Sequence, residues 1–268
     1  MSSTYDQYFE ANKHLWNKRT AINKDSSFYD RAGFIKGNDA ITEIEKNELV
    51  DIQGKKILHL QCHFGMDSLN LVRMGAEVTG VDFSAEAIRE ARLLSEECGL
   101  PARFICCNIY DLPGQLDETF DMVFTTFGVV GWLPDLKAWA SLVAKYLKPG
   151  GIFYLAEFHP VIWMFDDAFT HIQYCYENRE VIETEIQGTY SDRSADIKAK
   201  EYGWNHSISE VLNNLLENGL AITRFNEYMY SPYPCFSNVV SAGDRRWWIK
   251  GLEDKIPMVY TVTAVKVK

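Results

Sequence analysis

The chain has 268 residues, of which 47% are hydrophobic, and a formal charge of −10. This is enough for one large α/β domain, or a core domain with a modest appendage, and it excludes a disordered chain. The charge argues against general affinity for nucleic acid or an anionic membrane.

In chain order, "MSSTYDQYFEANKHLW" lacks the basic-then-apolar layout of a signal peptide, and no run of eighteen apolar residues follows anywhere. A cytoplasmic protein without a membrane span is expected. The first fifty residues read as helices packed on a core, with Asn38 capping one that carries Ile41, Ile44 and Leu49. From Lys55 to Glu157, short apolar runs alternate with helical periodicities, the pattern of βαβ units and a parallel sheet. Five strands are predicted: "KKILHLQ" from Lys55, "AEVTGVDF" from Ala76, "ARFICCN" from Ala102, "FDMVFTTF" from Phe120 and "GIFYLAEF" from Gly151. Ser84 caps a helix whose inward stripe is Ile88, Ala91, Leu94 and Cys98, ended by Gly99 and Pro101. A second stripe, Leu136, Trp139, Ala140, Val143 and Leu147, is stopped by "KPGG" at Lys148.

Beyond Phe158 the pattern changes. "IQYCY", "VIETEI" and "IKAKEYGW" alternate with period two and predict antiparallel strands in an inserted cap, residues 161–204. Ser207 and Glu210 form a capping-box pattern ahead of Ile208, Val211, Leu212 and Leu215, and Gly219 ends that helix. Two closing strands, from Leu220 and from Met258, are separated by an aromatic loop containing "YSPYPCF" and "RRWW". The expected division is an N-terminal helical segment (1–50), a core (51–160 and 205–268) and the inserted cap. Six cysteines, Cys62, Cys98, Cys106, Cys107, Cys175 and Cys235, show no CxxC pair and no zinc-ligand spacing, so they read as reduced thiols and no metal site is expected.

In an open parallel sheet, ligands bind at the carboxyl ends of the strands, beside the point where strand order reverses. The first strand delivers "LHLQCHFG", and seventeen residues after Gly65 comes Asp82, ending the second strand in "VTGVDFS". An acid at that spacing suits ribose hydroxyls. A pyrophosphate would need close backbone approach at a second glycine, where this chain has Gln61 and His63, so NAD and FAD are disfavoured. A ligand with an amino acid and a sulfonium in place of phosphates has no such requirement, and Gln61 and His63 could hydrogen-bond its polar end. S-adenosylmethionine has that shape.

Taken with "CNIYDL", "FDMVFTTFGVVGWLPDL" and "LVAKYLKPGGIFYLAEFHP", these motifs resemble the class I S-adenosylmethionine-dependent methyltransferases over about residues 55–160. The resemblance implies a Rossmann-like, mostly parallel seven-stranded sheet with a reversed last strand, N-terminal helices and an inserted antiparallel cap. The chain departs from the usual family pattern at His59, where an acid is common, and at Gln61 and His63, where glycines are common. Carried over by position, Leu60, Gln61, Cys62, His63 and Gly65 form the first cofactor motif, with Asp82, Phe83 and Ser84 at the ribose. Asn108 and Ile109 lie against adenine, with the Asn108 amide on its exocyclic nitrogen. Phe127 and Gly128 approach the sulfonium, and Trp16 and Tyr29 close the pocket.

Methyl transfer from a sulfonium is an in-line displacement, so the protein aligns the nucleophile and excludes water. A base is needed only if the acceptor arrives protonated. His159, just past the fifth strand, is the candidate; the competing reading is a histidine that only hydrogen-bonds. Glu157 and His206 are further candidates. No Asn-Pro-Pro or Asp-Pro-Pro follows the fourth strand, which argues against adenine or glutamine amides as acceptors. Trp132, Trp163, Trp204, His206 and Tyr233 are expected to enclose a small-molecule substrate; the competing reading for the aromatics is a satellite hydrophobic cluster. Edge strands and "RRWW" could serve a homodimer. Two other readings compete: an S-adenosylmethionine-binding sensor or partner protein without activity, and a NAD-dependent dehydrogenase.

Overall fold

The computed structural model describes residues 5–49 and 51–267, without the side chains of Asn178 and Arg179. The first four residues of the stretch read for a signal peptide lie outside the described residues. Three helices come first: α1 (Asp6–Asn23), α2 (Arg31–Ile35) and α3 (Glu43–Glu48). The βαβ region follows, with β1 (Lys56–Leu60), α4 (Met66–Arg73), β2 (Glu77–Asp82), α5 (Ala85–Cys98), β3 (Arg103–Cys106), β4 (Phe120–Thr126), α6 (Leu136–Tyr146) and β5 (Leu147–Phe158). The rest comprises β6 (Asn178–Gln187), β7 (Lys198–Asn205), α7 (Ile208–Glu217), β8 (Leu220–Tyr228), β9 (Val239–Gly243), β10 (Arg246–Ile249) and β11 (Val259–Lys266).

Seven strands form one sheet in the order β3-β2-β1-β4-β5-β11-β8. The pairs among β1 to β5 are parallel, while β11 runs antiparallel to both neighbours, so the last strand is the reversed one. Strand order turns back between β1 and β4, which puts the crevice of a doubly wound sheet at the carboxyl end of β1.

Alternation along the strands sorts the core onto two faces. Leu58, Leu60, Val123 and Phe153 pack with Trp139 and Val143 of α6 and Val211 and Leu215 of α7. On the other face Ile57, Met122, Phe124 and Tyr154 meet Leu71 of α4. Each fully buried aliphatic or aromatic side chain of this kind contributes about 1.5–3 kcal/mol. Helix ends follow the sequence signals: Ser84 Oγ accepts the Ala87 N–H at 3.1 Å, and Gly99 closes α5 in the left-handed region at φ 63°.

Four expectations are corrected. The helix near residue 41 is capped by Thr42, whose N–H donates to the Glu45 carboxylate at 2.6 Å, and Asn38 instead donates to Asp30. "IQYCY" is not a strand, because only Ile172 finds a partner, Phe165, in a single bridge. Val239–Ile249, read as loop, is a hairpin whose two connecting residues Asp244 and Arg245 both have positive φ, the geometry of a two-residue turn. Leu147 belongs to β5 rather than to α6, so "LKPGG" is an irregularity inside the strand.

Candidate active site

The loop after β1 keeps a glycine-like backbone without the glycines. Gln61 (φ 57°), His63 (φ 51°) and Gly65 (φ 78°) are all left-handed. A non-glycine residue held there costs on the order of 1–3 kcal/mol, and local hydrogen bonds offset it. The Cys62 N–H donates to Val81 O at 2.9 Å, the His63 N–H to Asp82 Oδ2 at 2.9 Å, and the Gly65 N–H to Cys62 O at 2.9 Å. Gly65 is required on space as well, since a Cβ there would stand 2.9 Å from Ala91 Cβ and from the Phe104 ring.

Asp82 is buried at the end of β2, where its other oxygen accepts the Ser84 N–H at 2.8 Å. Burial pushes its carboxyl up to about 6 against those N–H bonds. Gln61 Nε2 donates to Val129 O at 3.0 Å, tying the β1 loop to the β4 loop, while its buried Oε1 has no partner. Burial, helped by Arg19, lowers the His63 imidazole to about 3, so the ring is neutral among Trp16, Tyr29 and Phe64.

These residues line a cavity of about 1230 Å³. Its floor is the strand ends, and its roof is made by α1, the β6–β7 hairpin and the loop after β8. α1 turns a polar side inward: Asn12, Arg19, Thr20 and Asn23 are buried. Asn12 donates to Tyr202 O at 2.8 Å and accepts the Tyr202 N–H at 3.0 Å. Arg19 pairs with Glu201 at 2.7 Å, Thr20 contacts His63 Nε2 at 3.3 Å, and Asn23 donates to Tyr190 at 3.0 Å. The hairpin reaches the floor through Gly203 and Gly131, where a Cβ on Gly203 would stand 3.2 Å from Gly131 O.

Of the residues singled out by sequence, Gln61, Cys62, His63, Asp82, Phe83, Asn108, Ile109, Phe127, Gly128, Trp16 and Tyr29 line this cavity, as do Trp132, Trp163, Trp204 and Tyr233. Leu60, Gly65 and Ser84 do not: Leu60 is core, Gly65 shapes the turn and Ser84 caps α5. His159 is also outside the lining. Its Nδ1 accepts the Val161 N–H at 3.2 Å, which leaves Nε2 to donate to Glu227 at 3.1 Å, so both ring nitrogens are engaged away from the cavity. His206 is likewise tied, to Leu133 O at 2.7 Å and to Glu210 at 3.0 Å. Glu157 is structural as well: its carboxylate accepts the N–H groups of Gly128, Val129, Val130 and Phe158 at 2.6–2.7 Å and thereby shapes the loop after β4.

Sequence reading missed Arg19, Tyr190 and Asp67 as lining residues. Arg19 lies over the Trp16 and Trp132 rings at 5.2 and 5.7 Å, and its Nε is buried without a partner. The available signal was a basic residue three positions from Trp16, which alone does not distinguish a solvated helix face.

Residues 57–151 match the family model described as a methyltransferase domain. A ubiquinone biosynthesis O-methyltransferase from Idiomarina loihiensis is 37% identical over 106 residues, 40% of this chain and 43% of that protein. The chain thus matches less than half the length of that relative. An S-adenosylmethionine-dependent methyltransferase from Clostridium acetobutylicum superposes with a TM-score of 0.56 at 17% identity, covering 97% of this chain and 99% of that one. A geranyl diphosphate C-methyltransferase from Streptomyces coelicolor gives 0.57 at 17% identity, over 84% and 78%. The chain thus shares the fold of these two structures, and no described helix is long and apolar enough to cross a membrane.

Proposed function

We propose that the protein transfers the methyl group of S-adenosylmethionine to an enclosed small molecule. One observation carries this reading: the loop after β1, Asp82 and Asn108 share a single cavity with the aromatic cap, and its volume of about 1230 Å³ exceeds the roughly 300–1,000 Å³ of a one-ligand site. A cofactor and an acceptor fit side by side.

The polar atoms suit this cofactor. Asp82 holds one N–H on each oxygen and retains lone pairs for the two ribose hydroxyls. Asn108 Oδ1 is drawn to the Tyr110 N–H at 3.1 Å, so Nδ2 is the group left for the base, a donor suited to a purine ring nitrogen more than to an exocyclic amine. The orphaned Gln61 Oε1 can accept from an α-ammonium, and the free Nε edge of Arg19 can grip a carboxylate. Gln61 and His63 side chains occupy the approach a pyrophosphate requires, which weighs against a dinucleotide.

When bound, the sulfonium supplies an electrophilic methyl group. The chain's own contribution is alignment and dryness: Glu157 fixes the Gly128–Val130 backbone, Phe127 and Trp132 offer aromatic surface, and α1 with the hairpin excludes water. Titration calorimetry tests the reading. Micromolar binding of S-adenosylmethionine and S-adenosylhomocysteine is expected, weakened at least tenfold in Asp82→Ala; no binding by the parent protein sinks it. A second reading, a binding protein without transfer, draws on the engagement of His159 elsewhere. Methylation of any small molecule by purified protein, lost in Asp82→Ala, excludes it.

A further inference from the structure

One flank of the cavity is acidic, and the cofactor reading leaves it without a task. Asp67, in the first turn of α4, lines the cavity and has no hydrogen-bond or ion-pair partner among the described residues. The helix dipole favours an acid there by only about 0.3–1 kcal/mol. Glu45, on α3, is fully buried; Oε2 takes the Thr42 N–H and Oε1 has no partner. Two further buried polar atoms are orphaned on residues lining the cavity, His59 Nε2 and Thr126 Oγ1. They share a face of the sheet, since His59 pairs across β1–β4 with Phe124 and Thr126 lies two residues farther along β4.

Buried polar groups in folded proteins are almost always paired. Asp67, His59 Nε2 and Thr126 Oγ1, all unpaired on residues that line the cavity, therefore point to a ligand that pairs with them, with Glu45 buried beside Asp67. Charge selects its sign. Ten carboxylate side chains but only four basic ones line the cavity. The basic group acting on both Glu45 and Asp67 is Arg245, an exposed residue on the β9–β10 turn that forms no ion pair with either. His59 contributes no charge: burial holds its imidazole near 3. The neighbouring apolar surface is aromatic, with Phe127 and Tyr233 edge to face at 5.4 Å and Phe28 stacked on Tyr233 at 5.8 Å. Aromatic faces and the unpaired Asp67 carboxylate both favour a cation.

We propose that Asp67, with His59 Nε2 and Thr126 Oγ1, forms the subsite for a protonated amine on the methyl acceptor, so that the acceptor is a small organic amine with an apolar body. This rests on the methyltransferase reading. The probes are tyramine and benzylamine, set against tyrosol and 4-hydroxyphenylacetate, which carry a hydroxyl or a carboxylate where tyramine has its amine. Each is titrated calorimetrically into protein saturated with S-adenosylhomocysteine.

The amines are expected to bind at least tenfold more tightly than tyrosol, with the carboxylate weakest. Asp67→Asn should erase that preference and leave S-adenosylhomocysteine affinity unchanged. Failure of both amines to bind, equal binding of tyrosol, or an intact preference in Asp67→Asn overturns the proposal. If Asp67→Asn does not fold, Asp67→Ser carries the same test. Absence of S-adenosylhomocysteine binding strikes the methyltransferase reading instead, so the two failures are told apart.

Discussion

The floor and the roof of the cavity are built by different means. The floor is sheet and tight turn: β1, β2 and β4 are locked by ladder hydrogen bonds, and the β1 loop is set by three left-handed residues within five positions. The roof has no shared ladder with the floor. α1 is joined to the β6–β7 hairpin by side chains reaching across more than 160 residues of sequence, through Asn12–Tyr202, Arg19–Glu201 and Asn23–Tyr190. A floor of that kind holds its shape through backbone geometry, whereas a roof of this kind depends on a few polar side chains each finding one partner.

Substitutions can separate the two. The largest loss is expected in the floor: Gly65→Val places a branched side chain at φ 78°, 2.9 Å from Phe104 and Ala91. Denaturant unfolding should show a loss of about 3 kcal/mol or more, and a loss below 1 kcal/mol would mean that the turn is not fixed as described. In the roof, Arg19→Met leaves the partly exposed Glu201 without its partner, at about 1–2 kcal/mol. Hydrogen exchange should then quicken in α1 and β7 while β1 and β4 stay protected; uniform quickening would show that roof and floor unfold together.

A pH effect distinguishes the acidic flank. Burial and the Asp67 charge raise the Glu45 carboxyl from its ordinary 4.5 to about 8, so its stabilising contribution is full below 4.5 and is lost as pH rises through 8. Asp67, raised to about 6, loses its contribution lower in the range. His59 and His63, lowered to about 3, run the other way and are complete above their unfolded value near 6.5. Between pH 6.5 and 8.5 the melting temperature should fall in the parent protein and fall less in Glu45→Gln; equal slopes refute the assignment. The smallest effect belongs behind the sheet. Ser207→Ala removes the cap that accepts the Glu210 N–H at 3.2 Å and should cost about 1 kcal/mol with no change in ligand binding.

Legibility in the sequence follows the same division. Strands β1 to β5 were readable because alternating apolar runs encode their burial, and Asp82 because its spacing from Gly65 is a property of the strand–turn–helix unit. Arg19 was not, since α1 buries polar residues and so shows no apolar stripe. Asp67 went unread, since a lone acid in the first turn of a helix carries no signal of its own, and only the packing of α3 beside it makes it part of a wall. His159 misled because a strand end alone does not tell which way a side chain leaves, and here the Val161 N–H and Glu227 hold it. The "RRWW" hairpin was hidden by its turn, where Asp244 and Arg245 adopt positive φ without the asparagine–glycine pair that usually announces it.

The attachment of α1 at several points along its length has a kinetic consequence. From Asn12 to Asn23 the helix is pinned over about three turns, so it cannot swing on one end without breaking several contacts in succession. On the proposed function, a ligand that leaves past α1 has to break those contacts. Loosening a single pin such as Asn23 should then quicken ligand release and weaken the hold on ligands in the cavity.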